Sequence, residues 1–313
     1  KQIIFFLLKK VSRFLPLLPP KDARHRVLLP FYHAISNDKL PHIDALYRTK
    51  NTAEFEADLD FLLSIARPID LETLIYHTKN NIDFTENVFH LTFDDGFREI
   101  YEVVAPILRR KKIPATFFIN SDFIDNKNLM FRNKVSLLLQ KNADSFVRNF
   151  RHKDTPRIDA LLEKNGINLS NFLEKQQPYL TVKQIQKLHD QGFTFGAHSL
   201  NHPEYRYITY EEQLQQTTDS MAFIQEVTGS NLRVFSFPFT DTGVSKTFFE
   251  TMQFDISFGC AGVKDDTAPQ HWQRVALENN GIASARAIFA LEYLYYHLRK
   301  LTKRAIIERC DIL

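Results

Sequence analysis

Two adjacent carboxylates, Asp94 and Asp95, end the apolar run Phe89–Phe93 (F-H-L-T-F) and are followed at once by Gly96. Like charges this close raise each other's pKa, so the pair calls for water, donors or a cation. An Asp-Gly turn is the ordinary explanation of such a stretch. A second group argues against it. His198 and His202 stand in H-S-L-N-H-P (198–203), directly after the strand-like run Phe193–Ala197. Pro203 disfavours a helix at His202, which places His198 at a strand tip and His202 in the turn beyond. Two imidazoles and one carboxylate make a facial metal site with open positions. The second aspartate is then a free carboxylate able to take a proton from water, which a bound metal acidifies to a pKa of about 7. That is hydrolytic chemistry. Neighbouring strand residues point to opposite sides, so both aspartates line one site only where the strand breaks, and Gly96 permits the break.

These residues need a scaffold that brings them together. Apolar or β-rich runs recur at 26–32, 88–93, 113–119, 193–197, 233–237, 256–259 and 275–277, with helical spacing between most of them. About seven strands alternating with helices predict a parallel α/β barrel, whose strand C-termini form one face. Thr52 is the expected cap of a helix to Ile65, and Pro106 is expected to bend or split the helix over 98–112. Residues 122–180 carry four helical stretches and no strand, and read as an insertion on the site side that covers the site or shapes substrate access. A long C-terminal helix is expected over 283–308.

Composition narrows the function class. The 313 residues are 44% hydrophobic and 25% charged, with a net charge of +3. The basic residues are scattered, which gives no footing for nucleic acid. Two cysteines far apart in sequence, Cys260 and Cys310, form neither a disulfide framework nor a thiolate metal site. There is no clear signal peptide or transmembrane helix, which leaves the cytoplasm or a membrane surface as expected locations. Residues 1–20 read as an amphipathic segment able to lie on a membrane or to pack on the domain.

T-F-D-D-G (92–96), H-S-L-N-H-P (198–203) and F-S-F-P-F (235–239), in this order and at these intervals, resemble the NodB-homology polysaccharide deacetylases, carbohydrate esterase family four. H-A-I (33–35), I-P-A-T-F-F (113–118) and residues 180–197 agree. The resemblance covers about 26–121 and 180–280. It implies a distorted (β/α)7-type barrel and removal of an N- or O-acetyl group from an acetylated glycan. It implies Asp94 as general base, and Asp95, His198 and His202 as ligands of a divalent metal, most often zinc. Phe239 supplies a backbone N–H and a pocket-lining ring in this comparison, and Pro238 fixes the turn. The expected domains are an N-terminal segment (1–25), the deacetylase-like domain (26–282) and the C-terminal helix (283–313).

The sequence also departs from the family pattern. The arginine that many members carry before the proline-rich segment, where it tethers the base, is replaced by Ser236 or Phe237, and Thr240 stands where a glycine is usual. In the family's F-A-Y-P variant a later arginine does the tethering, and Arg274 in H-W-Q-R-V is the candidate. No Leu-x-His motif supplies a catalytic acid. His271, His297 and His33 remain open. The missing arginine and acid also leave room for a catalytically impaired glycan-binding domain.

Overall fold

The computed structural model describes residues 15–20, 23–141, 144–278 and 284–311. The predicted amphipathic segment falls largely on residues outside these. Among the described residues no helix is long and apolar enough to cross a membrane.

Eight parallel strands form the barrel wall: β1 (Pro30–Tyr32), β2 (Leu91–Phe93), β3 (Ala115–Ile119), β4 (Thr194–Ala197), β5 (Val234–Ser236), β6 (Ile256–Gly259), β7 (His271–Gln273) and β8 (Val275–Ala276). Their order in the sheet is β7-β6-β5-β4-β3-β2-β1-β8. The strands at the two edges, β7 and β8, are separated in sequence by Arg274 alone. One chain segment therefore pairs with β6 on one side of Arg274 and with β1 on the other. Counted as one bent strand, it gives the seven-strand closure expected from the sequence. Closure removes the exposed sheet edges and turns Arg274 into the barrel. Shorter pieces, Val27–Leu28, Arg67–Pro68 and Val88–Phe89, form a small parallel sheet before β1 and β2.

The strands are short and buried on both faces, as parallel strands covered by helices must be. Leu91, Phe93, Phe117, Phe195 and Phe235 belong to one core cluster, which accounts for much of the phenylalanine content. At Gly196 a Cβ would lie 2.4 Å from the Phe118 ring, so β4 packs there only because that side chain is absent.

Helices α1 (Thr52–Ile65), α2 (Leu71–Lys79) and α3 (Ala105–Lys111) lie in the first half. The cap of α1 is Asn51 rather than Thr52: its side chain accepts from the Glu54 N–H while Glu54 accepts from the Asn51 N–H, a complete capping box. The expected split near Pro106 is present. A π-helical turn, Ile100–Val104, precedes α3, and Pro106 sits in the first turn of α3, where a missing N–H costs nothing.

The insertion holds α4 (Phe131–Gln140), α5 (Thr155–Lys164) and α6 (Leu169–Gln176). The fourth expected helical stretch is a short 3-10 turn, Ser145–Asn149. The insertion has its own apolar cluster, in which Leu138, Ile158 and Leu162 join Ala34, Ile43 and Phe97 from the loops after β1 and β2. It is therefore fixed to the strand-end face of the barrel. Two helices then flank β4, α7 (Val182–Asp190) and α8 (Tyr210–Thr228), and α9 (Lys246–Met252) precedes β6. The C-terminal helix α10 spans Ala285–Leu301, shorter than expected. The chain beyond it pairs Ile306–Ile307 in parallel with Asp265–Asp266, so this tertiary partner ends the helical run.

Candidate active site

All barrel strands are parallel, so the residues following β1, β2, β4 and β5 meet at one end. After β2 the backbone turns sharply: Asp95 and Gly96 have φ of 72° and 68°. This break lets both carboxylates face one place. After β4, Asn120 donates to the His198 carbonyl, and the Ser199 Oγ accepts from the His202 N–H at 3.0 Å. Ser199, His202 and Phe239 also have positive φ. Four left-handed non-glycine residues in one small region is local strain of the kind found at functional sites.

Asp95 Oδ1 lies 3.5 Å from His198 Nε2 and 3.3 Å from His202 Nε2. It is buried and accepts no hydrogen bond. One ligand atom from each of the three residues falls within 4.8 Å of the others. An orphaned buried carboxylate oxygen facing two imidazole nitrogens is costly without a cation, so the donor set fits a divalent metal. The outer contacts agree: His198 Nδ1 donates to the Ser236 carbonyl at 2.7 Å, which turns Nε2 toward Asp95. Burial lowers the His198 pKa to about 4, so the ring is neutral and able to ligate near pH 7. Burial alone would raise the Asp95 pKa, but His202 and its neighbours override it and hold the carboxyl well below its usual range.

Asp94 has a different partner. Arg274 Nη1 donates to Asp94 Oδ1 at 2.8 Å and Nη2 to Oδ2 at 2.7 Å, a bidentate fork. The guanidinium also donates to Thr92 Oγ1 at 2.9 Å and to Ser236 Oγ at 2.6 Å. It is fully buried, with its central carbon 4.4 Å from the centre of the Phe31 ring and 5.4 Å from that of Phe118. Burial works to raise the Asp94 pKa, and Arg274 with His198 outweighs it, keeping the carboxyl ionised. The Ser236 hydroxyl thus helps hold the guanidinium against Asp94.

Pro238 and Phe239 form the rim. Thr240 N–H donates to the Pro238 carbonyl at 2.6 Å, closing a tight turn. The Phe239 ring is 39% exposed and sits 4.4 Å from the His202 ring.

The three histidines left open separate clearly. His297 is on the exposed side of α10, bonded to the Leu18 carbonyl. His271 is buried, with Nδ1 on Ser257 Oγ and Nε2 on Asp241 Oδ2, both at 2.8 Å, so neither ring nitrogen is free to act. Asp241, Asp266 and His271 also have ligand-like spacing, but the Arg309 guanidinium bonds both carboxylates and takes the cation's place. His33 is different. Its Nδ1 is 2.6 Å from Glu278 Oε2, and its N–H donates to the same oxygen at 2.7 Å. Burial alone would lower its pKa. Glu278, with Asp95 and Asp94 near enough to contribute, raises it to about 9. Glu278 was missed from sequence. The available clue was an acid directly after the last strand, in A-L-E (276–278).

Comparisons with known proteins agree with this architecture. The chain is 28% identical over 149 residues to a poly-beta-1,6-N-acetyl-D-glucosamine N-deacetylase of Staphylococcus aureus, which covers 43% of this chain and 50% of that protein. It thus spans about half the length of the curated relatives it matches. Among solved structures, a Streptococcus pyogenes deacetylase, PplD, in complex with acetate superposes with a TM-score of 0.56 at 16% identity over 84% of this chain and 95% of that one. IcaB from Ammonifex degensii superposes with the same score and identity, over 84% and 97%. At such identity these two show the shared fold. The polysaccharide deacetylase family pattern matches residues 81–253, more than half of the chain, and the protein belongs to that family.

Proposed function

We propose that this protein hydrolyses the acetyl group of an N-acetylated glycan, with Asp95, His198 and His202 holding one divalent cation, zinc as the family resemblance implies. The observation that carries this reading is the orphaned Asp95 oxygen between two imidazoles, beside an aspartate held ionised by an arginine fork. A cation there supplies Lewis acidity, polarising an acetyl carbonyl and acidifying water. Asp94 takes the proton from the attacking water. Arg274 does not touch substrate; it orients Asp94 and keeps it charged. Phe239 offers its ring to the acetyl pocket and its backbone N–H to the developing oxyanion. His33 is the acid: Glu278 holds Nδ1, which leaves Nε2 to protonate the departing amine. The N-acetyl preference follows the name of the Staphylococcus aureus relative. A binding-only role loses its main motive, because the missing motif arginine has a substitute in Arg274.

The acid assignment has its own test. An amine is a poor leaving group and needs a proton; a nitrophenolate does not. His33→Gln is expected to lower kcat for acetate release from N-acetylated oligosaccharides by about 10²–10⁴-fold while hydrolysis of p-nitrophenyl acetate falls far less. Glu278→Gln should shift the alkaline limb of the N-acetyl activity to lower pH, because the His33 proton is then lost earlier. Equal loss on both substrates would remove His33 from the role.

A further inference from the structure

We propose that the insertion and the loop after β4 form a subsite for an acidic sugar, so that the glycan acted on carries carboxylate groups beside its N-acetylated residues. This rests on the deacetylase reading and names the substrate class for the same site.

Two guanidinium groups lie on one ring. Arg151 of the insertion is 4.0 Å from the Tyr207 centroid, and Arg206 is 4.6 Å from it. Tyr207 is itself 48% exposed. Cation–π contact positions both cations at small gain but neutralises neither. Among the described residues neither arginine, nor the adjacent Lys153, has a carboxylate within ion-pair distance. Two cations stacked on one ring repel each other, and an anion bound beside them offsets that repulsion.

The place matters as much as the charge. A cavity of about 170 Å³ is lined by Arg151, His152, Lys153, Glu204, Tyr207 and Ile208. It adjoins the candidate active site through a row of rings: His152 is 5.9 Å from Phe131, Phe131 is 5.9 Å from Phe239, and Phe239 is 4.4 Å from His202. Glu204 lies two residues after His202. A polymer with one acetyl group at the triad would lay a neighbouring sugar here.

Two acids are near, Glu204 in the lining and Asp154 beside Lys153, and both are engaged by backbone. Glu204 Oε2 accepts from the His152 N–H at 3.5 Å, and Asp154 Oδ2 from the Arg151 N–H at 2.9 Å. Two carboxylates leave the three cations Arg151, Lys153 and Arg206 in excess, and Glu204 also lies near enough to Arg132 to act on it. A planar carboxylate matches a guanidinium fork. Because Arg151 belongs to the insertion and Arg206 to the barrel loop, the subsite also gives the insertion a task.

Arg151 and Arg206 are exposed, so their alanine variants are expected to fold. Calorimetric binding of a hyaluronan hexasaccharide, which alternates glucuronate with N-acetylglucosamine, is compared with N-acetylchitohexaose at low salt, in zinc-loaded Asp94→Asn protein to prevent turnover. The acidic oligosaccharide is expected to bind at least about 10-fold more tightly. Arg151→Ala with Arg206→Ala should erase this preference and leave chitohexaose affinity within about twofold. Equal affinity for the two sugars, no measurable binding of the acidic one, or a preference that survives the double variant overturns the proposal. If wild-type protein releases acetate from neither sugar, the deacetylase reading fails while the binding comparison still decides the subsite.

Discussion

Asp94→Asn is expected to lower kcat for acetate release from N-acetylated oligosaccharides by about 10²–10⁴-fold, with little change in the protein's capacity to bind zinc. The amide keeps the size of the side chain but cannot accept a proton from water. The metal-facing oxygen belongs to Asp95, not Asp94, so metal content should remain near one equivalent by elemental analysis. The variant leaves Arg274 buried with a neutral partner, so some stability is lost as well. Kinetics are therefore read well below the unfolding midpoint of the variant. A kcat within a few fold of wild type, in zinc-loaded protein, would remove Asp94 from the base role.

Arg274→Ala should have the largest effect on stability, a loss of about 3–5 kcal/mol in urea unfolding, the range for breaking a buried ion pair by removing one partner. The guanidinium is fully buried and holds four side-chain oxygens, from Asp94, Thr92 and Ser236. Its loss strands an aspartate in a dry site and opens the space between Phe31, Phe118 and Phe258. Activity carries a second signature. The folded Asp94 pKa now lies below its ordinary value because Arg274 outweighs burial. The pair thus contributes stability above the ordinary carboxylate range, and that contribution disappears as pH falls through the folded pKa. Without Arg274, burial prevails and the pKa rises. The acid limb of the pH–activity profile should therefore move to higher pH. Arg274→Lys is expected to rescue only part of either effect, since an ammonium cannot form the fork.

The Asp94, Asp95, His198 and His202 constellation was legible in the sequence because each residue follows directly on an apolar run, and parallel strands end on one face. Arg274 was legible as a candidate because it precedes a strand. Its position, alone between β7 and β8 at the closure of the barrel, depends on which strands become neighbours. The same holds for His33 and Glu278, which are 245 positions apart and meet only because β8 pairs with β1. The sequence alone does not separate Asn51 from Thr52 as the α1 cap, because both are good caps; only the reciprocal bond to Glu54 distinguishes Asn51. The C-terminal helix ends earlier than its local pattern suggests, for a comparable reason. Ile306 and Ile307 fit helical spacing, yet their backbone pairs with Asp265 and Asp266, and Arg309 fills the acidic cluster beyond. Local pattern marks the strand ends; long-range pairing decides which of them meet.

The central claim is that one cation held by Asp95, His198 and His202 is required for acetate release. It is tested most directly by titrating metal-stripped protein with Zn2+ while measuring acetate released from an N-acetylated oligosaccharide. Activity is expected to rise from none to a plateau at one equivalent, and His202→Ala should show no such rise at that loading. Acetate release by wild-type protein in excess chelator, or an unchanged titration in His202→Ala, would contradict the claim.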